Sequence, residues 1–482
     1  MRNNNGKAGV VIIILAAIIL VALVPWYFII MRNFFDPDDR PETQTEGHEE
    51  AGHELPHDEL PDHEPEYYPD HGYEDDPEDD YTHESEHGSD VNIPVTESVR
   101  DIASVRPQLQ TDLNGISRQY NAMAVSMAMF DGDTGEYFTY HFGHADSEAG
   151  KHVDDDTKFR VASLAKLTTV ICAMVLVDQE LIDLDSDISI YLGYEVINTH
   201  YPGTAITVRM LMQHTSSIFD SGAFQVSRDR NSSESIRVLL ERGASFRRSQ
   251  PGTSFEYTNF GYAILGAICE NVSQKTLDTF AREVLFDPLN IDAGYIPSKM
   301  KDTENIAVIY NDRHSVTRSV QSQLSVGESN VLGHDLHLAQ GNLTISAIDY
   351  AKILAMLGNG GVSQGVEILS PQAVNEMHIT NVTGAAYEQG LATRYSFGDF
   401  IAGEGFYWHT GSAYGLFAQY IYTATASYNR GIIVVTTGAT TGREQNGMVS
   451  LCTDIAAAAW AEFNTLIENN DPDDLNESDN DD

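Results

Sequence analysis

The chain is short of cysteine: Cys172, Cys269 and Cys452 are three among 482 residues, odd in number and far apart. Each lies in an apolar, helix-like context, so a disulfide framework is excluded and buried free thiols are expected. It is also short of base, with 28 Lys and Arg against 72 Asp and Glu and a formal net charge of -44. Phosphate binding needs a basic patch, so a nucleic-acid partner is excluded, and so is attraction to an anionic membrane surface.

Local absences divide the chain further. From Ala8 to Met31 there is no charged residue, and these 24 positions reach roughly 36 Å as a helix, enough to cross a hydrocarbon core of about 30 Å. The run is longer than the apolar part of a cleaved signal peptide and no A-x-A-like site follows it, so residues 8–31 are expected to be an uncleaved transmembrane anchor. Arg2 and Lys7 precede it. That places residues 1–7 in the cytoplasm and the rest of a single-pass protein outside, at the cell membrane.

Between Asp36 and Asp90 aliphatic residues nearly vanish, while 23 acids face one base, Arg40. Such a stretch cannot bury enough surface to offset chain entropy, so residues 32–95 are expected to be a disordered acidic linker. Seven histidines (His48, His53, His57, His63, His71, His83 and His87) make metal capture an alternative role for it. The stretch HEEAGH spaces its histidines five apart, however, and lacks the i, i+4 geometry of a zinc-protease helix. Residues 468–482 carry eight acids and no base, and are expected to be a disordered tail.

Residues 96–467 remain as the folded domain, and the net charge from Val91 to Ile467 is still -17. A helical pattern runs from about Ser98 to Tyr120, followed by MAVSMAMF and EYFTYHFG, two strands around the turn Asp131 to Gly135. Near the other end, GLFAQYIYTA and GIIVVTT flank Ser427, Asn429 and Arg430, and a helical run follows from about Met448 to Leu466. From about Ser163 to Gly360 the pattern is mostly helical. The expected fold is α+β: one antiparallel sheet built from the terminal strands, flanked by the N- and C-terminal helices, plus a mostly helical lobe. A crevice between the two lobes is the expected place for a site.

The stretch VASLAKLTT sets Ser163 and Lys166 one helical turn apart at the start of an apolar run. A serine hydroxyl becomes a nucleophile when a nearby base accepts its proton, and a helix start suits a developing oxyanion. Serine is also a favoured N-cap, and S-x-x-K recurs at Ser298 to Lys301, so the pattern alone leaves both readings open. Two further stretches add polar groups: FEYTNFGYAILG, with Tyr257 and Asn259, and FYWHTGSAYGLFAQ, with His409, Thr410, Gly411 and Ser412 just before a strand.

With KFRVASLAK, ELIDLDSDISIYL, ITVRMLMQHTSS, FEYTNFGYAILG, QGNLTISAIDYAKILAMLGNGG and WHTGS in this order, the sequence resembles the penicillin-recognising serine hydrolases. The branch is that of class C β-lactamases, DD-peptidases, D-aminopeptidases and related esterases. The resemblance implies Ser163 as the acylated nucleophile, Lys166 as its activator and Tyr257 as proton relay, with either Lys166 or Tyr257 as the base in acylation. It implies that Asn259 holds Lys166 and the substrate amide, and that the backbone N–H groups of Ser163 and Ser412 form the oxyanion hole. Gly411 would let the strand approach the substrate closely, and His409 and Thr410 complete the third motif.

Two positions depart from the family pattern. His409 stands where penicillin hydrolases usually have lysine, and a mostly neutral imidazole attracts a substrate carboxylate less, which favours peptidase, amidase or esterase activity over β-lactamase activity. Ser217 stands where glycine is common, in a loop that borders the site and includes Phe219. The resemblance implies no metal and no organic cofactor. Its substrates would be small molecules or peptides, such as cell-wall peptide stems or β-lactams. A penicillin-binding sensor without turnover is the alternative from a different functional class.

Overall fold

The computed structural model describes residues 97–229, 235–380, 382–383, 388–397, 405–424, 429–443 and 447–468. The expected anchor, the linker and the tail beyond residue 468 lie outside these residues. Among the described residues no helix is long and apolar enough to cross a membrane.

One large sheet occupies the centre. Its strands in chain order are β1 (Ser98–Asp101), β2 (Ala124–Asp131), β3 (Glu136–Asp146), β4 (Val382–Thr383), β5 (Glu388–Gln389), β6 (Arg394–Phe397), β7 (Gly405–Ala413), β8 (Leu416–Ala424) and β9 (Asn429–Thr437). They lie side by side as β1-β3-β2-β9-β8-β7-β6-β5-β4, with Lys151–His152 added beside β3. Only β1 and β3 run parallel. The two ends of the domain meet where β2 pairs with β9, from Ala124 opposite Thr437 to Asp131 opposite Arg430.

The five longest helices among the described residues cover this sheet or build the lobe beside it: α1 (Pro107–Gln119), α2 (Ala165–Asp178), α3 (Asn259–Ser273), α4 (Ala347–Gly358) and α5 (Ser450–Ala461). Both faces of the sheet are buried, so the strands read as nearly continuous apolar runs and the period of two decides which core each residue enters. On β2, Val125, Met127 and Met129 join Leu109 and Leu113 of α1 and Leu451 and Ile455 of α5, while Ala124, Ala128 and Phe130 join the core shared with α2, α3 and α4. The α+β layering expected from the sequence is the one observed.

The expected helix from Ser98 to Tyr120 is interrupted. Ser98–Asp101 forms β1 against β3, Asp101 caps a single turn at Ile102–Val105, and α1 begins at Pro107. Proline holds the residue before it in extended backbone and suits only the first turn of a helix, so Arg106 at φ -146° breaks the run. The three cysteines are buried and free, on α2, α3 and α5. Helix α2 is buried all round from Ala165 to Leu176, which accounts for its sustained apolar sequence and carries Lys166 into the interior.

Candidate active site

Ser163 sits in one 3-10 turn, Ala162–Leu164, that runs directly into α2. Val161 N donates to Leu343 O at 2.9 Å and Arg160 Nε to Gly341 O at 3.0 Å, which ties the turn to the helical lobe. Ala162 is held at φ +50°, a left-handed conformation that costs an alanine about 1 kcal/mol or more. The α-helix therefore starts after Ser163 and not at it, and the turn has no side-chain cap. The capping reading falls, because the Ser163 hydroxyl accepts from Lys166 Nζ at 3.3 Å.

Lys166 is fully buried. Its Nζ also donates to Asn259 Oδ1 at 2.9 Å and to Gln340 O at 2.7 Å, and lies 5.0 Å and 5.4 Å from the ring centres of Tyr257 and Tyr262. Three oxygens replace the water lost on burial.

Tyr257 and Asn259 flank Thr258, whose extended backbone turns both neighbours to one side and whose hydroxyl caps α3 at Gly261 N. Asp220 completes this junction. Its carboxylate accepts from Thr258 Oγ1 (2.9 Å), Asn259 N (2.8 Å), Phe260 N (2.8 Å) and Asn259 Nδ2 (2.7 Å). A carboxylate bonded by four donors can only accept, so Asn259 must direct Nδ2 to Asp220 and Oδ1 to Lys166. Sequence reasoning stopped one residue short, at Phe219, and a lone acid in a loop carries no pattern that would have found it.

The ring of His214 backs Tyr257, with centres 4.3 Å apart, and its Nδ1 accepts from Thr258 N at 3.2 Å. Burial, then the charges of Lys166 and Arg394, hold this imidazole well below its ordinary pKa, so it packs as a neutral ring. Ser217 adopts φ +62°, and its hydroxyl accepts from Asn198 Nδ2 at 2.9 Å. That bond offsets the strain of a serine at a left-handed position where glycine is common. Phe219 lies under the Arg247 guanidinium, 3.8 Å from its ring centre, and does not line the cavity described below.

His409 to Ser412 were expected just before a strand, but they lie within β7, where β8 pairs with them and β6 pairs only with Gly405 to Trp408. A Cβ at Gly411 would stand 2.3 Å from Val161 O and 3.4 Å from Ser163 N, so the missing side chain lets β7 pack closely against the Ala162–Leu164 turn. His409 is buried, with Nδ1 2.8 Å from Thr410 O. A carbonyl only accepts, so Nδ1 carries the proton and Nε2 is an acceptor. Burial first, and then the charges of Arg394 and Lys166, keep this imidazole neutral well below its ordinary range. It is unsuited to holding a carboxylate.

The positive charge comes from residues that sequence reasoning missed. Arg443 Nη1 donates to Thr410 Oγ1 at 3.0 Å, and Arg394, buried on β6, lines the same space. Neither lies in a motif. A cavity of about 1000 Å³ brings together Ser163, Tyr257, Asn259, His409, Thr410 and Ser412 along its wall. Lys166 and Gly411 stand behind that wall.

The second S-x-x-K match lies elsewhere, with Ser298 exposed and Lys301 paired with Asp287 at 3.7 Å. Among the described residues no group of three or more His, Cys, Asp or Glu could hold a metal, and the histidine-rich linker lies outside them. A serine hydroxyl, a buried amine at hydrogen-bond distance and a phenol on one cavity wall can carry acyl transfer.

A family model described as Beta-lactamase matches residues 113–449. The chain is 27% identical over 266 residues to a protein named lovastatin esterase from Penicillium rubens, which covers 50% of this chain and 64% of that one. It is 29% identical over 184 residues to penicillin-binding protein 4 of Amycolatopsis lactamdurans, covering 38% and 47%. The chain thus spans less than two thirds of either relative. Among solved structures, a β-lactamase/D-alanine carboxypeptidase from Pseudomonas syringae shares the fold at 17% identity and a TM-score of 0.56, over 77% of this chain and 100% of that one.

Proposed function

This chain belongs to the Beta-lactamase family, and on that footing we propose that it is a serine hydrolase working through an acyl-enzyme on Ser163, a peptidase or amidase of the DD-peptidase or D-aminopeptidase type. The observation that carries this reading is the arrangement around Lys166. Its two shorter bonds go to Asn259 Oδ1 and Gln340 O, which can only accept and so consume two N–H bonds. The third direction faces Ser163 Oγ at 3.3 Å, the atom that must lose its proton to attack, so the amine stands where that proton has to go.

Ser163 Oγ attacks the substrate carbonyl and passes its proton to Lys166. The tetrahedral oxyanion is held by the backbone N–H groups of Ser163 and Ser412, each such donor contributing about 2.7 to 4 kcal/mol. Lys166 and Tyr257 return the proton to the leaving nitrogen or oxygen as its bond to carbon breaks. Water then attacks the ester on Ser163, giving up its proton along the same path, and releases the acid. Arg443, beside Thr410, supplies the attraction for a carboxylate on the leaving group that neutral His409 cannot.

Residues 8–31 anchor the enzyme with this domain outside the cytoplasm, where peptide stems of a cell wall are the natural substrates. An ester substrate is the second reading, favoured by the similarity to the lovastatin esterase and by the uncharged third motif. Intact-mass and turnover measurements with a fluorescent penicillin, a D-Ala-D-Ala peptide and a p-nitrophenyl ester test both readings, on wild type and Ser163→Ala. Turnover lost in the variant is expected. Equal turnover by the two proteins refutes the mechanism, and a lasting adduct without turnover assigns a sensor. Alkaline carbonate extraction of membranes should leave the full chain in the pellet if the anchor spans.

A further inference from the structure

The cavity is one-sided in charge. Arg160, Arg318, Arg394 and Arg443 line it, and among the described residues no Asp or Glu does, although the stretch from Val91 to Ile467 carries a net charge of -17. The four arginines form two groups. Arg443 bonds the Thr410 hydroxyl, and Arg394 lies over Trp408, its guanidinium carbon 5.0 Å from the ring centre. At the other end Arg160 and Arg318 bracket Tyr414, with guanidinium carbons 5.1 Å and 3.6 Å from its ring centre.

The second group is built into the fold. Thr317 Oγ1 donates to Tyr414 O at 2.6 Å and joins the Val316–Arg318 strand to the end of β7. Burial raises the Tyr414 phenol, but the two guanidiniums outweigh it and bring it below its ordinary pKa, the sign of a positive local potential.

The direction of the reaction separates the two ends. The ring centres of Tyr257 and His409 are 6.2 Å apart, so proton delivery to a leaving group lies on the Thr410 side. The acyl half then runs the other way along β7, past Ser412 toward Tyr414. Ser163 N lies beside Gly411, and the two strand residues from there to Ala413 cover roughly 7 Å before the chain turns at Tyr414, which stands at φ +61°. A five-carbon diacid spans about 5 Å between its end carbons, and an arginine fork adds about 4 Å.

We infer that the acyl half of the substrate carries its own carboxylate, held by Arg160 and Arg318 beside Tyr414, so that the enzyme takes monoesters or monoamides of short dicarboxylic acids. Planar guanidiniums suit this role because they grip a carboxylate through two bonds. The inference rests on the acyl-enzyme reading above.

The test compares 4-nitrophenyl hydrogen glutarate with 4-nitrophenyl pentanoate, using the full chain and its Arg318→Gln and Arg318→Lys variants. Wild type should show kcat/KM at least about tenfold higher for the glutarate ester. Arg318→Gln should bring the ratio toward one by lowering kcat/KM for the glutarate ester, and Arg318→Lys should restore part of it. A wild-type ratio near one, or a ratio that Arg318→Gln leaves intact, overturns the inference, while Ser163-dependent hydrolysis of both esters leaves the acyl-enzyme reading standing.

Binding provides a readout that needs no chemistry. In calorimetry the Ser163→Ala protein should bind glutaric acid monoanilide at least about tenfold more tightly than pentananilide, and lose that preference when Arg318→Gln is added. Equal binding of the two anilides refutes the carboxylate site even if neither ester is hydrolysed.

Discussion

Replacing Gly411 by alanine tests whether β7 and the Ala162–Leu164 turn must touch. The new Cβ would stand 2.3 Å from Val161 O and 3.4 Å from both Ala162 Cβ and Ser163 N. A carbon and a carbonyl oxygen settle at about 3.3 Å or more, so one element must move by about 1 Å. At Gly411 strand β7 is held by the β8 ladder, opposite Ala418, with the β6 ladder beginning at Trp408, and the turn is tied to Leu343 and Gly341. Either shift displaces Ser163 from the groups around it. A displacement of that size costs roughly 100-fold in rate, and overpacking costs about 1 to 3 kcal/mol of stability.

The assay is steady-state hydrolysis of a p-nitrophenyl ester together with urea unfolding. Gly411→Ala should lower kcat about 100-fold while KM changes little. Gly222→Ala is the control, because a Cβ there meets nothing within 4 Å, and it should leave both measurements unchanged. If Gly411→Ala keeps kcat within about threefold of wild type at unchanged stability, the close approach plays no part in catalysis.

Asp220→Asn places a second amide against Asn259 Nδ2 and turns Asn259 the wrong way toward Lys166; kcat should fall about tenfold or more with KM nearly constant, and Asp220→Ala should also lower the urea midpoint through the lost α3 cap. Burial pushes the Glu270 carboxyl up to about 7 despite bonds from Leu277 N and Gly333 N. Its folded form keeps a proton that the unfolded chain loses above about pH 4.5, so stability should fall as pH rises through 4.5 to 7, by at most about 3 kcal/mol, and Glu270→Gln should flatten that slope in urea titrations at pH 5 and pH 8. Burial also pushes the Cys172 thiol up to about 12 and Cys269 and Cys452 well above their ordinary values, so a disulfide exchange reagent at pH 8 should modify none of the three in the folded protein and all three in urea.

Legibility in the sequence followed the range of the interaction. The layering was readable because strand alternation and apolar helices are local patterns that survive in one dimension, as in β2 and α2. The break at Pro107 was equally local and could have been found from proline alone. The edge strands β4 to β6 were not readable, since two to four residues carry no period and form a sheet only beside β7.

The sequence by itself determined which chemistry is present: a serine and a lysine one turn apart, a tyrosine and an asparagine two apart, and an imidazole in the third motif. Those spacings are set by backbone geometry within single segments. Only the tertiary structure decided how they act together. Asp220 orients Asn259 from another loop, Gly411 brings β7 against Val161, and arginines from β6, Val316–Arg318 and the loop after β9 converge on one cavity. Such contacts join residues 39 to 250 positions apart, where no local propensity acts, and they exist only once the sheet and the helical lobe have packed.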